Sequence, residues 1–366
     1  MKIIRIETWA STRVGFVRIE TDSRHEGWGQ LSPFNADLTA ELLHRLLARR
    51  TLGTDPIDHE QLIEDLERHN HKFIGTFLYR ALCGIDGALW DLRGKLEGKA
   101  VCELLGGTPD PMPVYASSMD RKRDAKGVVE TLKPWRDACG ARAFKIKIMQ
   151  VNGRDVDVWP GRSEDLLQAM GTEFHDAALL IADANGGYSP DKAIEKSRLL
   201  RDCGFSLFEE PCHCQDIPGT ARVNVEGVAP VCAGEQDYDL VRWQMIFDAN
   251  AVAVAQPDLC YTGGLTRCLK IARMAEKAGI PVMPHASNRS MAMLYAMHLM
   301  RAIPNAADFL ECGIEGDSGP GAPLEPPLRM VDGRVAFPEG PGWGIQVNPD
   351  ALETFRRDHY RESRQA

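Results

Sequence analysis

The stretch AFKIKIM, residues 143–149, decides how this chain is read. Strand alternation turns Lys145 and Lys147 to one face and Phe144, Ile146 and Ile148 to the other. Two like charges side by side repel, so the pair needs a reason. One is an edge strand that uses lysines to discourage unwanted pairing. The other is a central strand whose polar face opens into a site, and the surrounding sequence separates the two.

Around AFKIKIM, short apolar strands alternate with amphipathic helices, the signature of parallel βα units. The strands are VYAS, AFKIKI, ALLIADA, SLFEE, PVCAGE, AVAVAQPD, IPVMPH and ADFLE, eight in all. The helices between them carry terminal signals. In SPDKAIEKSRLLRDCG, Ser189 stands at the N-cap, Pro190 at the first helical position and Gly204 just past the end. GGLTRCLKIARMAEKAG closes on Gly279 in the same way. Eight units over residues 112–335 approach the roughly 250-residue size of a (β/α)8 barrel. The competing doubly wound sheet lacks its glycine-rich phosphate turn here.

Upstream, the texture differs. IIRIETW and VGFVRIET alternate as antiparallel strands, GWGQL follows a polar turn, and residues 38–50 and 58–69 look helical. In FLYRALCGIDGALWDLRGKL, Leu78, Leu82, Ile85, Leu89, Leu92 and Leu96 form one apolar stripe at helical period. GGTPDPMP at 106–113 cannot continue any element, which places a domain boundary there.

With 366 residues, 44% of them hydrophobic, the chain can bury a core large enough for two domains. A net charge of -9 argues against nucleic acid and anionic membrane surfaces as partners. No apolar run approaches the roughly 18 residues of a membrane span, and the start MKIIRIETWA passes into charged residues, so a cytoplasmic location is expected. The ten cysteines fall mostly in apolar segments (Cys83, Cys139, Cys203, Cys232, Cys268), as buried thiols do in a reducing compartment. Cys212, His213 and Cys214 lack a second ligand pair for zinc and read as loop residues.

The polar residue closing each strand carries the chemistry. Asp183, Glu209, Glu235, Asp258, His285 and Glu311 end successive strands, 26, 26, 23, 27 and 26 residues apart. Consecutive barrel strands finish at one rim, so residues one unit apart become neighbours around a single opening. Any one of these carboxylates could simply cap the following helix. Three adjacent ones, Asp183, Glu209 and Glu235, would repel unless a cation sat among them, and all-oxygen ligation suits Mg²⁺. Lys145 and Lys147 flank that trio on one side, and desolvation with mutual repulsion is expected to lower a lysine pKa until it can serve as a base. On the other side, Asp258 can fix the His285 tautomer and leave the second nitrogen to exchange protons. Such a site suits removal of a proton alpha to a carboxylate, with Lys145 supplying an ammonium and Glu311, if protonated, donating to the second oxygen.

KIK (145–147), DANGGY from Asp183, FEEP with Glu209, AGEQ with Glu235, QPD with Asp258, PH with His285 and FLE ending in Glu311 together resemble the enolase superfamily, within it the mandelate racemase subgroup. The resemblance implies a modified (β/α)8 (TIM-like) barrel over 113–335 and an α+β capping domain over 1–112, completed by 336–366. It implies one Mg²⁺ per subunit on Asp183, Glu209 and Glu235, Lys147 as base on one face, and Asp258 with His285 as acid or base on the other. By analogy it implies an acid-sugar dehydratase, in which a metal-stabilised enediolate loses its beta-hydroxyl to give a 2-keto-3-deoxy sugar acid, with racemase or epimerase as the alternative. The substrate is then a small sugar acid, and family habit implies a homo-oligomer. Cap candidates for substrate contact are Arg13, the LSPFNAD loop (31–37) and HNHK (69–72), with Asn185 beside Asp183. The insertion GRDVDVWPGR (153–162) is expected to touch substrate or a neighbouring subunit. A zinc hydrolase on the same barrel would place an HxH pair on the first strand, and VYASSMD has none. An inert metal-binding relative would be expected to lack Lys147 or His285, and both are present.

Overall fold

The period-two patterns near the N-terminus form β1 (Ile3–Ala10), β2 (Gly15–Thr21) and β3 (Glu26–Leu31), an antiparallel meander. The structure, a computed structural model, describes residues 1–315 and 324–365, so 316–323 of the expected barrel range lies outside the described residues. The terminal strand His359–Arg364 pairs antiparallel with β1, so both ends of the chain share one sheet.

On that sheet lies the helix Thr76–Glu97. A Cβ on Gly27 would meet the Ala88 carbonyl at 2.0 Å and one on Gly29 the Gly84 carbonyl at 2.2 Å, so GWG is glycine at alternate positions because helix backbone rests directly on β3. The single apolar stripe expected for this helix understates its burial. Leu78, Leu82, Ile85, Leu89 and Leu92 are buried, but so are Asp86, Trp90 and Asp91 off the stripe. These face the second domain-sized core: Trp90 Nε1 donates to Thr266 Oγ1 at 3.0 Å, and Asp91 accepts from the backbone N–H groups of Trp28 and Trp343.

β4 (Met112–Ser117), β5 (Ala143–Lys147), β6 (Leu179–Asp183), β7 (Leu207–Glu209), β8 (Val231–Ala233) and β9 (Val254–Ala255) pair in that order, all parallel, with helices between them. β10 (Leu310–Gly313) returns to pair with β4. The strand expected in IPVMPH is not a ladder. Pro281 and Pro284 remove two backbone donors, and what remains is single parallel bridges from Val282 to Ala255 and Ala306 and from His285 to Asp258. Through Val282 the path still passes from β9 to the segment that becomes β10, and so back to β4. β5 is hydrogen-bonded on both sides, which excludes the edge-strand reading of its lysines.

Inside this circuit, Tyr115, Ala143, Ile181, Leu207, Cys232, Val254 and Met283 form one buried layer, a residue from each successive strand position. Phe144, Ile146, Leu180, Ala182 and Phe208 point outward into the core shared with the helices. The cap has its own core, from Ile3 to Leu89. Ser189 takes the N-cap position before the helix Pro190–Asp202, but its hydroxyl makes no capping bond; its N–H donates instead to Asp155 Oδ1 at 2.7 Å. That aspartate belongs to the 153–162 insertion, whose Asp157 also accepts from Ser163 N at 2.7 Å at the start of the helix Arg162–Glu173. All ten cysteines are free thiols, with Cys139, Cys203 and Cys214 only half-buried. Among the described residues no helix is long and apolar enough to cross a membrane.

Candidate active site

Two residues beyond the inner apolar layer, on the same face, the strands end in charge. Ala143 is followed by Lys145 and Lys147, Ile181 by Asp183, Leu207 by Glu209 and Met283 by His285. Register makes neighbours of them: Lys147 lies opposite Asp183, and Asp183 opposite Glu209. Lys145, Lys147, Asp183, Glu209, Glu235, Asp258, His285 and Glu311 are all buried. Just past the strand ends, Met149 (φ 59°), Asn185 (φ 41°) and Glu210 (φ 41°) adopt left-handed backbone without being glycine, strain of the kind that gathers at working sites.

Asp183, Glu209 and Glu235 offer oxygen atoms all within 4.8 Å of one another. No cysteine or histidine joins them, and the set is that of a hard divalent cation. Each is braced from behind. Asn185 N–H donates to Asp183 Oδ1 at 2.7 Å, Gln256 Nε2 to Glu209 Oε2 at 2.9 Å and Gln236 Nε2 to Glu235 Oε1 at 2.9 Å. Cys212, His213 and Cys214 lie in the loop after β7.

The lysines lie among these carboxylates. Lys145 Nζ is 2.5 Å from Glu209, 2.8 Å from Glu311 and 3.7 Å from Asp183, and Lys147 Nζ donates to Asp183 Oδ2. The depressed pKa expected of one lysine of the pair does not fall on Lys145, whose expected part is the ammonium. Burial opposes its charge most strongly, yet Glu209 and Glu311 together hold its ammonium well above the usual lysine range. Among the carboxylates, burial lifts Glu209 to about 8 against the pull of Lys145. Asp183 goes the other way, because Lys147 and Lys145 outweigh its burial.

Across the trio stands the histidine. His285 Nδ1 is 2.7 Å from Asp258 Oδ2, and its Nε2 is 3.4 Å from Glu235 and 3.8 Å from Glu311. Asp258 also caps the short helix Leu259–Thr262, its Oδ1 accepting from Tyr261 N–H at 2.9 Å, so the capping and orienting readings of this residue both hold. Burial disfavours a charged imidazole, but Glu235, Glu311 and Asp258 raise His285 to about 10.

The donor role considered for Glu311 requires a protonated acid, and its surroundings favour the carboxylate. Burial raises its pKa, but Lys145 and His285 bring it down to about 2, and it accepts from Ser117 Oγ at 2.7 Å and Ala286 N–H at 2.9 Å. As a carboxylate it clamps Lys145 from the β10 side.

Asn185 reaches the site as expected, but through neighbours the sequence reading missed. Its Nδ2 donates to Glu210 Oε2 at 2.8 Å, and its Oδ1 accepts from Arg121 Nη2. Glu210 was legible as the second acid of FEEP and Arg121 as part of the basic run after the first barrel strand. Arg13 is not brought to the site: it lies exposed on the turn between β1 and β2, without a hydrogen bond to any of these residues. The LSPFNAD loop connects indirectly. Ser32 and Pro33 accept from Arg80 Nη1, the Arg80 guanidinium stacks 3.6 Å above the Tyr261 ring, and that ring lies 6.2 Å from His285. In HNHK, His69 ends the helix His59–His69, Asn70 is buried with its Nδ2 donating to the Leu66 carbonyl at 2.8 Å, and His71 and Lys72 lie exposed in the short turn His71–Phe73.

Residues 2–106 match a family described as mandelate racemase / muconate lactonizing enzyme, N-terminal domain, and residues 127–351 one described as enolase C-terminal domain-like. Among curated relatives, a D-galactonate dehydratase of Ralstonia nicotianae is 32% identical, covering 95% of this chain and 92% of the relative. A D-galactarolactone cycloisomerase of Agrobacterium fabrum is 31% identical over 93% of this chain and 90% of its own. A solved structure from Roseobacter denitrificans, assigned provisionally as a racemase, is 42% identical, with a TM-score of 0.95 and 100% of both chains covered. A mandelate racemase/muconate lactonizing protein of Paracoccus denitrificans, complexed with magnesium, is 28% identical with a TM-score of 0.90 over 99% of both chains.

Proposed function

The chain belongs to the mandelate racemase subgroup of the enolase superfamily, a modified (β/α)8 barrel with an α+β cap, and on that premise we propose that it is a magnesium-dependent acid-sugar dehydratase. The observation that carries the reading is the placement of Lys147 beside Asp183 and of His285 beside Glu235, one proton-transfer group on each flank of the carboxylate trio.

Asp183, Glu209 and Glu235 fit the metal: three oxygens, close together, braced by Asn185, Gln256 and Gln236, and neutralised here by two ammonium groups. Bound magnesium supplies the positive charge that makes a proton alpha to a carboxylate removable. Lys147, released from its role as the counterion of Asp183, takes the alpha-proton on Nζ. The electron pair moves into the substrate carboxylate, where the ammonium of Lys145, held by Glu311, offsets the added charge. His285, aligned by Asp258, gives its Nε2 proton to the beta-hydroxyl, which leaves as water when the electron pair returns. The enol so formed becomes a 2-keto-3-deoxy acid. The same reading assigns residues 1–112 and 336–366 to the cap and 113–335 to the barrel.

A screen of mono- and diacid sugars with Mg²⁺ for keto-acid release tests this. One substrate yielding the 2-keto-3-deoxy product supports it. Accumulation of an inverted epimer without keto acid favours the alternative racemase or epimerase, a reading supported by the 42% identity to the Roseobacter protein. Silence across the set, with no exchange of the alpha-proton, contradicts both.

A further inference from the structure

We infer that Arg121 selects sugar acids that carry a second carboxylate at the end remote from the magnesium site. The inference rests on the acid-sugar reading above and names the substrate class within it. Arg121 comes from the segment after β4, yet its side chain crosses two strand ends. Nε donates to the Met149 carbonyl beyond β5 at 3.2 Å, and Nη2 to Asn185 Oδ1 beyond β6. There the guanidinium lies within electrostatic reach of Asp183, Glu235 and Glu210. Nevertheless it forms no ion pair, and Nη1 has no hydrogen-bond partner among the described residues.

Asp183, Glu235 and Glu210 offset the Arg121 charge from a distance without contacting it, so the guanidinium keeps hydrogen-bonding capacity for a further anion. The substrate carboxylate that engages magnesium lies at the reacting end of the molecule. An anion for Arg121 lies further along, and the unused edge of a guanidinium matches the two oxygens of a planar carboxylate. A phosphate dianion would call for more than one cation, and among the described residues Arg121 is the only basic group hydrogen-bonded to the Asn185–Glu210 pair.

Calorimetry on the Mg²⁺-loaded protein with galactarate and galactonate, a diacid and monoacid of equal chain length, tests the assignment. The wild type should bind galactarate at least about tenfold more tightly. Arg121→Gln should weaken galactarate about 30-fold and galactonate only about threefold, with Arg121→Lys intermediate. Equal weakening of both ligands, as expected if Arg121 merely holds Asn185, overturns the assignment, as does a wild type without preference. Should galactonate bind and turn over without any galactarate preference, only the Arg121 assignment falls. If neither acid binds and the wider screen of mono- and diacid sugars is silent as well, the acid-sugar reading falls with it; if another sugar acid turns over, its own diacid and monoacid forms decide the assignment by the same comparison.

Discussion

The two walls of the site are built by different means. On the lysine wall, β5 pairs with β6 through five consecutive partners, from Ala143 with Leu179 to Lys147 with Asp183, so backbone register alone fixes which charges meet. On the histidine wall, one backbone bridge joins Asp258 to His285, and the Asp258 carboxylate supplies the rest. That wall also leans on the cap, through Arg80 over Tyr261 and through Trp90 on Thr266. A ladder resists a side-chain change, because its geometry is carried by main chain. A wall held by side chains can be altered piece by piece.

Direct removal of the proton-transfer groups should have the largest effect and treat both walls alike. Lys147→Met and His285→Asn should each lower keto-acid formation by about 10³-fold in steady-state assays. A second test bears on the cap helix that supports the histidine side through Trp90. His59 is fully buried against Trp90, and burial, with Arg93, lowers its pKa to about 4. Its folded pKa lies below the unfolded value, so the unfolded chain binds more protons between pH 6.5 and 4, and stability falls as pH drops through that window. His59→Leu should remove this slope, giving a relative gain of about 2 kcal/mol in urea unfolding at pH 5 and less at pH 7.

Smaller changes separate the walls further. Gln256→Leu takes a donor from Glu209 and should weaken Mg²⁺ about tenfold by calorimetry. Arg80→Met should leave Mg²⁺ affinity unchanged and lower turnover about fivefold, since a stacked cation contributes about 1 kcal/mol to the position of Tyr261. If Gln256→Leu and Arg80→Met gave the same pattern, the distinction between the walls would be lost.

The lysine wall was also the more legible in sequence. Alternation in AFKIK and the apolar-then-acid pattern of LLIAD and SLFEE state both the strand and the face of each polar residue. In IPVMPH, the two prolines hide the departure from a ladder, although His285 still reaches the rim. Charge states were not legible at all. Whether Glu311 carries a proton was open in the sequence; Glu311 and Lys145 set each other's charge at 2.8 Å, a pairing across β4 that separations along the chain do not express. Cap contacts were the least legible: Arg13 has polarity without placement, whereas Arg80 sits inside a helical pattern that draws attention to its leucines.

The central claim is that Lys147 removes the alpha-proton and His285 acts afterwards on the leaving hydroxyl. Proton NMR in heavy water with Mg²⁺ and the turned-over sugar acid addresses it in one experiment. The account predicts that His285→Asn still washes deuterium into the alpha position of unreacted substrate while keto-acid formation falls about 10³-fold, and that in Lys147→Met both fall together. Exchange at the wild-type rate in Lys147→Met would contradict it.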